Sequence, residues 1–243
     1  MGIYDELCGG IARRTMVLFF LVDTSGSMAG SKIGAVNEAI NDIVPELRDI
    51  SDNNADAQIK IAVLEFNSGA EWLYPNPIEA ENFEWDYLDV GGVTDLGTAF
   101  TMLDEKLSRN EFMSDVAGSF APAIFLMSDG QPTDHYEKGL AKLKENNWYK
   151  NAIKVAVAIG DDADQDVLKD FTGNSESVLT ARNPEALKKM ITFVSVTASK
   201  IGSQSSSVGF SGKSSAPSKQ DNFVEQIQDF NADIFDDDAE IEW

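Results

Sequence analysis

Asp23-Thr-Ser-Gly-Ser27 places one carboxylate and two hydroxyls at alternate positions directly after an apolar run. These side chains are hard oxygen donors, which suit Mg²⁺ or Mn²⁺ rather than a metal that prefers thiolates. Taken alone, the spacing equally describes a serine-rich turn that caps the following helix. Two later stretches bear on the choice. Gly91-Gly-Val-Thr94-Asp-Leu-Gly97 is a glycine-rich loop opening a helical pattern, and Ser128-Asp129-Gly130 follows the apolar run Ala123 to Met127. Together they offer Asp23, Ser25, Ser27, Thr94 and Asp129 to one divalent cation. The hydroxyls of Ser25, Ser27 and Thr94 are neutral, so Asp23 and Asp129 would supply the charge, directly or through waters that Mg²⁺ retains.

The elements around these residues must bring three loops to one place. Met16-Val-Leu-Phe-Phe-Leu-Val22 is too short to cross a bilayer and reads as a strand buried on both faces. Gly30 and Ser31 open a helix with Ile33, Val36, Ile40, Ile43, Val44 and Leu47 at helical spacing, and Pro45 predicts a kink or an early stop. Further strands are expected at 59–66, 123–127, 153–159 and 177–180. The stretch 71–74, after the turn Asn67-Ser-Gly69, is expected to return antiparallel at the edge. Helical stripes begin near Leu96, Tyr136, Val167 and Pro184, the proline being welcome in a first turn. Residues 75–86 show no regular pattern, and Trp72 and Trp85 read as packing residues. Alternating strands and helices predict an α/β three-layer sandwich, with a mostly parallel central sheet and one antiparallel edge strand. In such sheets ligands bind at the carboxyl ends of the strands, where all three loops fall.

Asp23-x-Ser25-x-Ser27 with a distant Thr94 and a distant Asp129 resembles the metal-ion-dependent adhesion site (MIDAS) of von Willebrand factor type A (vWA) domains. The resemblance covers roughly Arg13 to Lys200 and implies a Rossmann-like vWA sandwich. It further implies a Mg²⁺ or Mn²⁺ ion at Asp23, Ser25, Ser27, Thr94 and Asp129, and a protein ligand that donates an acidic side chain to the metal. Recognition of that kind makes and breaks no bond, so the chain is expected not to be an enzyme. Gly160 to Asn174, and Asn183-Pro-Glu-Ala-Leu-Lys-Lys189, are similar to the bacterial TerY-like branch. That branch implies a cytoplasmic scaffold in a tellurium-resistance or stress system, with a Ser/Thr kinase and a PP2C-type phosphatase as partners.

The alternative is a Mg²⁺- or Mn²⁺-dependent phosphohydrolase. A phosphoaspartyl enzyme would want a second acid two residues after Asp23, where Ser25 stands. A Ser25 nucleophile would need a base, and His135 is the sole histidine. Asp161, Asp162 and Asp164 form a second acidic cluster, expected to start and cap a helix rather than to bind Ca²⁺.

The chain carries 19 basic against 41 acidic residues, a net charge of −22, which repels phosphate backbones and argues against nucleic-acid binding. Cys8 is the single cysteine, so no internal disulfide can form. Residues 1–14 lack the apolar core of a signal peptide and no run reaches transmembrane length, so a cytoplasmic protein with no membrane partner is expected.

Three regions are expected: a vWA domain over 1–202, a flexible Ser/Gly-rich linker over 203–220, and an acidic amphipathic tail over 221–243. The linker's serines are candidate kinase substrates. The tail holds nine carboxylates and no Lys or Arg, yet Phe223, Ile227, Phe230 and Ile234 share one helical face. It is therefore expected to fold as a helix on a protein surface. Like charge favours a separate partner over the chain's own domain.

Overall fold

In the computed structural model, which describes residues 13–115, 118–203 and 218–235, strand β1 (Arg14–Asp23) is exposed at Arg14 and buried at all nine following positions. A strand with no polar face must be covered on both sides, and two separate apolar layers do so. Met16, Leu18, Phe20 and Val22 pack with helices α1 (Ser31–Asp52) and α6 (Pro184–Ser203) on one face. Val17, Phe19 and Leu21 pack on the other with α2 (Leu96–Lys106), α3 (Tyr136–Glu145) and α5 (Gln165–Thr172).

The remaining strands are β2 (Ala57–Asn67), β3 (Gly69–Trp72), β4 (Ile78–Glu79), β5 (Ala123–Ser128), β6 (Ile153–Ile159) and β7 (Val178–Ala181), with a short helix α4 (Asn147–Asn151) before β6. They form one sheet in the order β3-β2-β1-β5-β6-β7. All pairings from β2 to β7 along this path are parallel, whereas β3 runs antiparallel to β2. This is the expected sandwich with its antiparallel edge. The two-residue β4, also antiparallel to β2, lies in the stretch that showed no regular pattern. Side chains of α1 hold that stretch down. Arg48 donates to the carbonyls of Ala80 and Phe83, and Asn37 bonds the backbone of Leu88 in both directions.

Pro45 neither stops nor divides α1, which runs through it for 22 residues. Pro45 and Asn41, whose carbonyl loses its helical partner, both lie on the exposed face of α1. Trp72 packs edge-on against Phe19 and Phe112, and Trp85 donates its indole N–H to Asn37.

Cys8, nearly all of the serine-rich stretch and the last eight residues lie outside the described residues. A helix α7 (Lys219–Phe235) follows, and it corrects the expectation that the tail would prefer a separate partner. Phe223 and Ile227 are wholly buried in the core cluster shared with α1 and α6, and Phe230 stacks on Phe193 of α6. The Gln220 amide bonds both the N–H and the C=O of Lys154 at the amino end of β6, and Ser177 Oγ. Burying two or three large apolar side chains contributes several kcal/mol, on the order of 1.5–3 each, more than diffuse like-charge repulsion screened by salt removes. Among the described residues, no helix is long and apolar enough to cross a membrane.

Candidate metal centre

Asp23 ends β1 with its carboxylate buried and both oxygens engaged. Oδ1 accepts from the backbone N–H of Ser25 at 2.9 Å, and Oδ2 accepts from Ser128 Oγ at 2.5 Å. The first bond folds the chain back on itself, so that Ser25 Oγ and Ser27 Oγ lie 3.0 Å apart. Ser25 is buried and Ser27 exposed, which leaves the hydroxyl pair open on one side. The second bond is a consequence of strand order. Val22 pairs with Met127 in the β1–β5 register, which puts Ser128 directly beside Asp23.

Thr94 arrives on a loop sewn to the first by backbone bonds. Gly91 N–H donates to Thr24 C=O at 2.9 Å, and Gly26 N–H to Gly92 C=O at 3.2 Å. Asn67, at the end of β2, adds a bond to Thr24 Oγ1 and accepts from Asp95 N–H. Thr94 itself is buried and clasped by Thr133, whose backbone N–H donates to Thr94 C=O while its hydroxyl accepts from Thr94 N–H. Asp134 accepts from Gly97 N–H and so fixes the start of α2.

Asp129 follows β5 and is also fully buried. The turn after it is tight. Gly130 has φ of 67°, and a Cβ there would lie 2.6 Å from the carbonyl oxygen of Asp164. Asp164 N–H donates to Asp129 C=O at 2.8 Å, tying this loop to the start of α5. Oδ1 of Asp129 accepts a long bond from Gln131 N–H, while Oδ2 is buried without any hydrogen-bond donor. Lys32 Nζ faces Oδ2 at 3.8 Å, beyond hydrogen-bond reach.

Burial pushes the Asp23 carboxyl above the usual carboxylate range, and the nearby charge of Asp129 adds to the rise. The bonds from Ser128 and Ser25 act against it. Two carboxylates out of water, one with an orphaned oxygen, lack an opposite charge of their own number. Hard oxygen donors arranged in this way fit a divalent cation. Asp23, Ser25, Ser27, Thr94 and Asp129 would hold it, the hydroxyls as neutral donors and the carboxylates as its counter-charge. Among the described residues no group of three or more His, Cys, Asp or Glu could hold a metal, so any ion here depends on the hydroxyls.

The other sequence candidates lie outside this cluster. His135 is exposed ahead of α3 and its side chain makes no capping bond. Asp164 caps α5 through the N–H groups of Asp166 and Val167, and Asp161 pairs with Arg182. Sequence reasoning passed over Ser128 and Lys32. Ser128 stands inside the Ser128-Asp129-Gly130 triplet, but its use shows only once β5 is known to neighbour β1. Lys32 follows the helix start, and the loop that pairs with it comes from 130 residues further along the chain.

The family model described as von Willebrand factor type A domain matches residues 18–193. No curated protein matches the chain. Among solved structures, proximal thread matrix protein 1 of the mussel byssus superposes with a TM-score of 0.57 at 20% identity, covering 76% of this chain and 48% of its own. A von Willebrand factor type A protein from Catenulispora acidiphila gives 0.56 at 18%, covering 76% and 43%. The pilus adhesin SpaC of Lactobacillus rhamnosus GG gives 0.61 at 13%, covering 78% and 30%. The chain thus spans less than half the length of each. The mussel protein has also been solved with zinc occupying its MIDAS motif.

Proposed function

The chain belongs to the von Willebrand factor type A family, and we propose that it is a metal-dependent protein-interaction module whose ligand presents a carboxylate to the ion. The observation that carries this reading is the buried, donor-less Oδ2 of Asp129, whose charge reaches Asp23, together with a pair of hydroxyls 3.0 Å apart and open to solvent at Ser27. When bound, the metal supplies a Lewis-acidic position that a partner's carboxylate can occupy. Mg²⁺ and Mn²⁺ suit the donors, and the zinc of the mussel protein makes Zn²⁺ a third ion to try.

The chain's own residues do the rest. Ser128 and the Ser25 N–H hold the Asp23 carboxylate in one orientation, and Thr133 holds the Thr94 loop against the Asp129 loop. Tyr87 and Val93, the large apolar side chains exposed among the described residues, both lie on the loop that carries Thr94. On that loop they would offer a ligand apolar contact, as the centre of a protein interface needs.

A non-enzymatic role is supported by the company Ser25 keeps. Its hydroxyl lies against Ser27 Oγ and the Asp23 carboxylate, whose oxygens already accept from the Ser25 N–H and Ser128 Oγ, and His135 is exposed beyond the Asp129 loop. Within the family, the stretches Gly160 to Asn174 and Asn183 to Lys189 support a TerY-like scaffold in a tellurium-resistance or stress system, working with a kinase and a phosphatase. Calorimetric titration with Mg²⁺, Mn²⁺ and Zn²⁺, comparing wild type with Ser25→Ala, tests the metal site. Equal affinity in both would refute it. Capture of partners from the native host with wild type but not with Asp23→Ala would support metal-bridged recognition, and equal capture would oppose it. Hydrolysis of generic phosphate esters on adding Mg²⁺ or Mn²⁺ would favour the phosphohydrolase instead.

A further inference from the structure

Lys32 sits where a second cation would be needed. Its Nζ lies 3.8 Å from the orphaned Asp129 Oδ2 and 3.2 Å from Asp162 Oδ1, with only 14% of the side chain exposed. The seat is built rather than incidental. A Cβ on Gly160, at the end of β6, would stand 2.8 Å from Lys32 Cε and 2.9 Å from Nζ, so the missing side chain makes room for the ammonium. Gln131 Nε2 donates to the Asp162 backbone carbonyl at 2.8 Å and Asp164 N–H to that of Asp129, which ties together the two loops that carry the lysine's carboxylates. The Asp162 carboxyl is drawn below the usual carboxylate range by its bond to Lys32.

We propose that Lys32 is a tethered counter-cation, shared by Asp129 and Asp162 in the metal-free protein, that competes with the divalent ion for Asp129 and is left to Asp162 alone when the ion binds. The inference rests on the metal reading above and names the residue that sets how tightly the ion is held. Two positive charges cannot share one buried carboxylate oxygen without mutual repulsion, and Asp162, which already accepts from the ammonium at 3.2 Å, keeps it when the ion takes Asp129. A site tuned in this way stays weakly occupied until a ligand's carboxylate adds negative charge, so metal and ligand would bind together.

The test is calorimetric titration of the full chain with Mn²⁺, alongside thermal melting in EDTA. Lys32→Met should bind Mn²⁺ about tenfold more tightly, a change expected for removing one nearby like charge at intermediate dielectric. It should also melt lower than wild type in EDTA, because Asp129 is left uncompensated. Asp162→Asn should bind Mn²⁺ more weakly, and most of that loss should vanish in the Lys32→Met background. Lys188→Met removes the same charge from an outer ion pair with Asp42 and should leave affinity unchanged. Unchanged or weaker binding by Lys32→Met overturns the proposal. So does an equal gain in Lys188→Met, or an Asp162→Asn loss of the same size in both backgrounds. If Lys32→Met does not fold, Asp162→Asn decides, with unaltered affinity counting against the proposal. Wild type that takes up no metal refutes the metal reading, whereas an undiminished melting point of Lys32→Met in EDTA refutes the counter-cation by itself.

Discussion

Ser128 Oγ donates to Asp23 Oδ2 at 2.5 Å across the β1–β5 pair, and the same oxygen accepts from Gly130 N–H at 2.8 Å. One hydroxyl thus orients the first acidic residue of the site and pins the loop that carries the second. Ser128→Ala removes a bond to a charged acceptor inside the protein, a loss of about 1.5–3 kcal/mol, and orphans Gly130 N–H as well. The variant should melt lower and bind divalent metal roughly tenfold more weakly, by the same energy scale. Calorimetric titration and urea melts measure both. Unaltered metal affinity would mean that Asp23 is positioned by the Ser25 N–H alone.

The raised Asp23 carboxyl fixes the sign of a pH effect. Below its ordinary value of 3.8 the group is protonated in both folded and unfolded chains. Between that value and the higher one in the fold, the folded protein holds a proton that the unfolded chain has lost. This group's contribution to stability therefore falls as pH rises through that window. A metal ion needs the ionised carboxylate and offsets the cost. The difference in melting temperature between saturating Mg²⁺ and EDTA should accordingly widen as pH rises from about 4 to 7. A constant gap across that range would count against Asp23 as the titrating partner of the metal.

Helix α7 yields a prediction that separates stability from binding. Its first turn sits at the amino ends of the strands, where Gln220 joins Lys154 and Lys219 Nζ lies over the Phe120 ring, away from the loops of the metal site. Phe193 and Phe230 stack with centroids 3.8 Å apart and planes inclined by 4°. Removing residues 219–243 uncovers the apolar surface that Phe223 and Ile227 bury, and should cost several kcal/mol at about 25 cal/mol per Å². Phe230→Ala alone should cost about 1–3 kcal/mol, given its half-buried position. Metal affinity should be unchanged in both. A truncated chain that binds metal more tightly would instead make the tail an inhibitor of the site.

The parts of this molecule that were legible in the sequence are those that local pattern determines. Unbroken apolar runs mark strands covered on both faces, and an Asp at the end of such a run lies at the ligand edge of a parallel sheet. Ser128 and Lys32 were not legible because their partners are set by strand order and loop approach. The loop 75–86 was opaque for a related reason: Arg48 and Asn37 of α1 hold it, and nothing in its own residues announces that. The tail was misjudged through weighing net charge above burial. Its charges point to solvent at Asp221, Glu225 and Asp229, while Phe223 and Ile227 enter the core.

Lys154 carries a second pH effect of opposite sign. Burial lowers its pKa from 10.5 to about 8, and its ammonium donates to the carbonyls of Tyr149 and Ala152. Below pH 8 the lysine is charged in both states and the fold bears the whole desolvation cost. Between about 8 and 10.5 the folded protein releases a proton that the unfolded chain keeps, so this group's contribution rises with pH. Lys154→Met should flatten that rise in a series of urea melts from pH 7.5 to 10. A wild-type profile no steeper than the variant's would show that the ammonium is solvated.

Two glycines, one in α1 and one after β5, should respond to alanine with opposite signs. Gly34 lies inside α1, and a Cβ there meets nothing within 4 Å, so Gly34→Ala should stabilise by about 0.5–1 kcal/mol through reduced freedom of the unfolded chain. At Gly130 a Cβ would meet the Asp164 carbonyl oxygen at 2.6 Å, Leu168 Cγ at 3.1 Å and Asp164 C at 3.3 Å, in a backbone with φ of 67°. The first and third of these are backbone atoms held by the bond between Asp164 N–H and Asp129 C=O, so relief requires the two loops to part. Gly130→Ala should therefore destabilise by about 2–4 kcal/mol, the left-handed conformation and the clash adding together. It should also weaken Mn²⁺ binding more than Ser128→Ala does, because Asp129 moves with the loop. Melting curves and Mn²⁺ titrations of the two variants check this, and a Gly130→Ala protein with wild-type affinity would detach the Asp129 loop from the metal site.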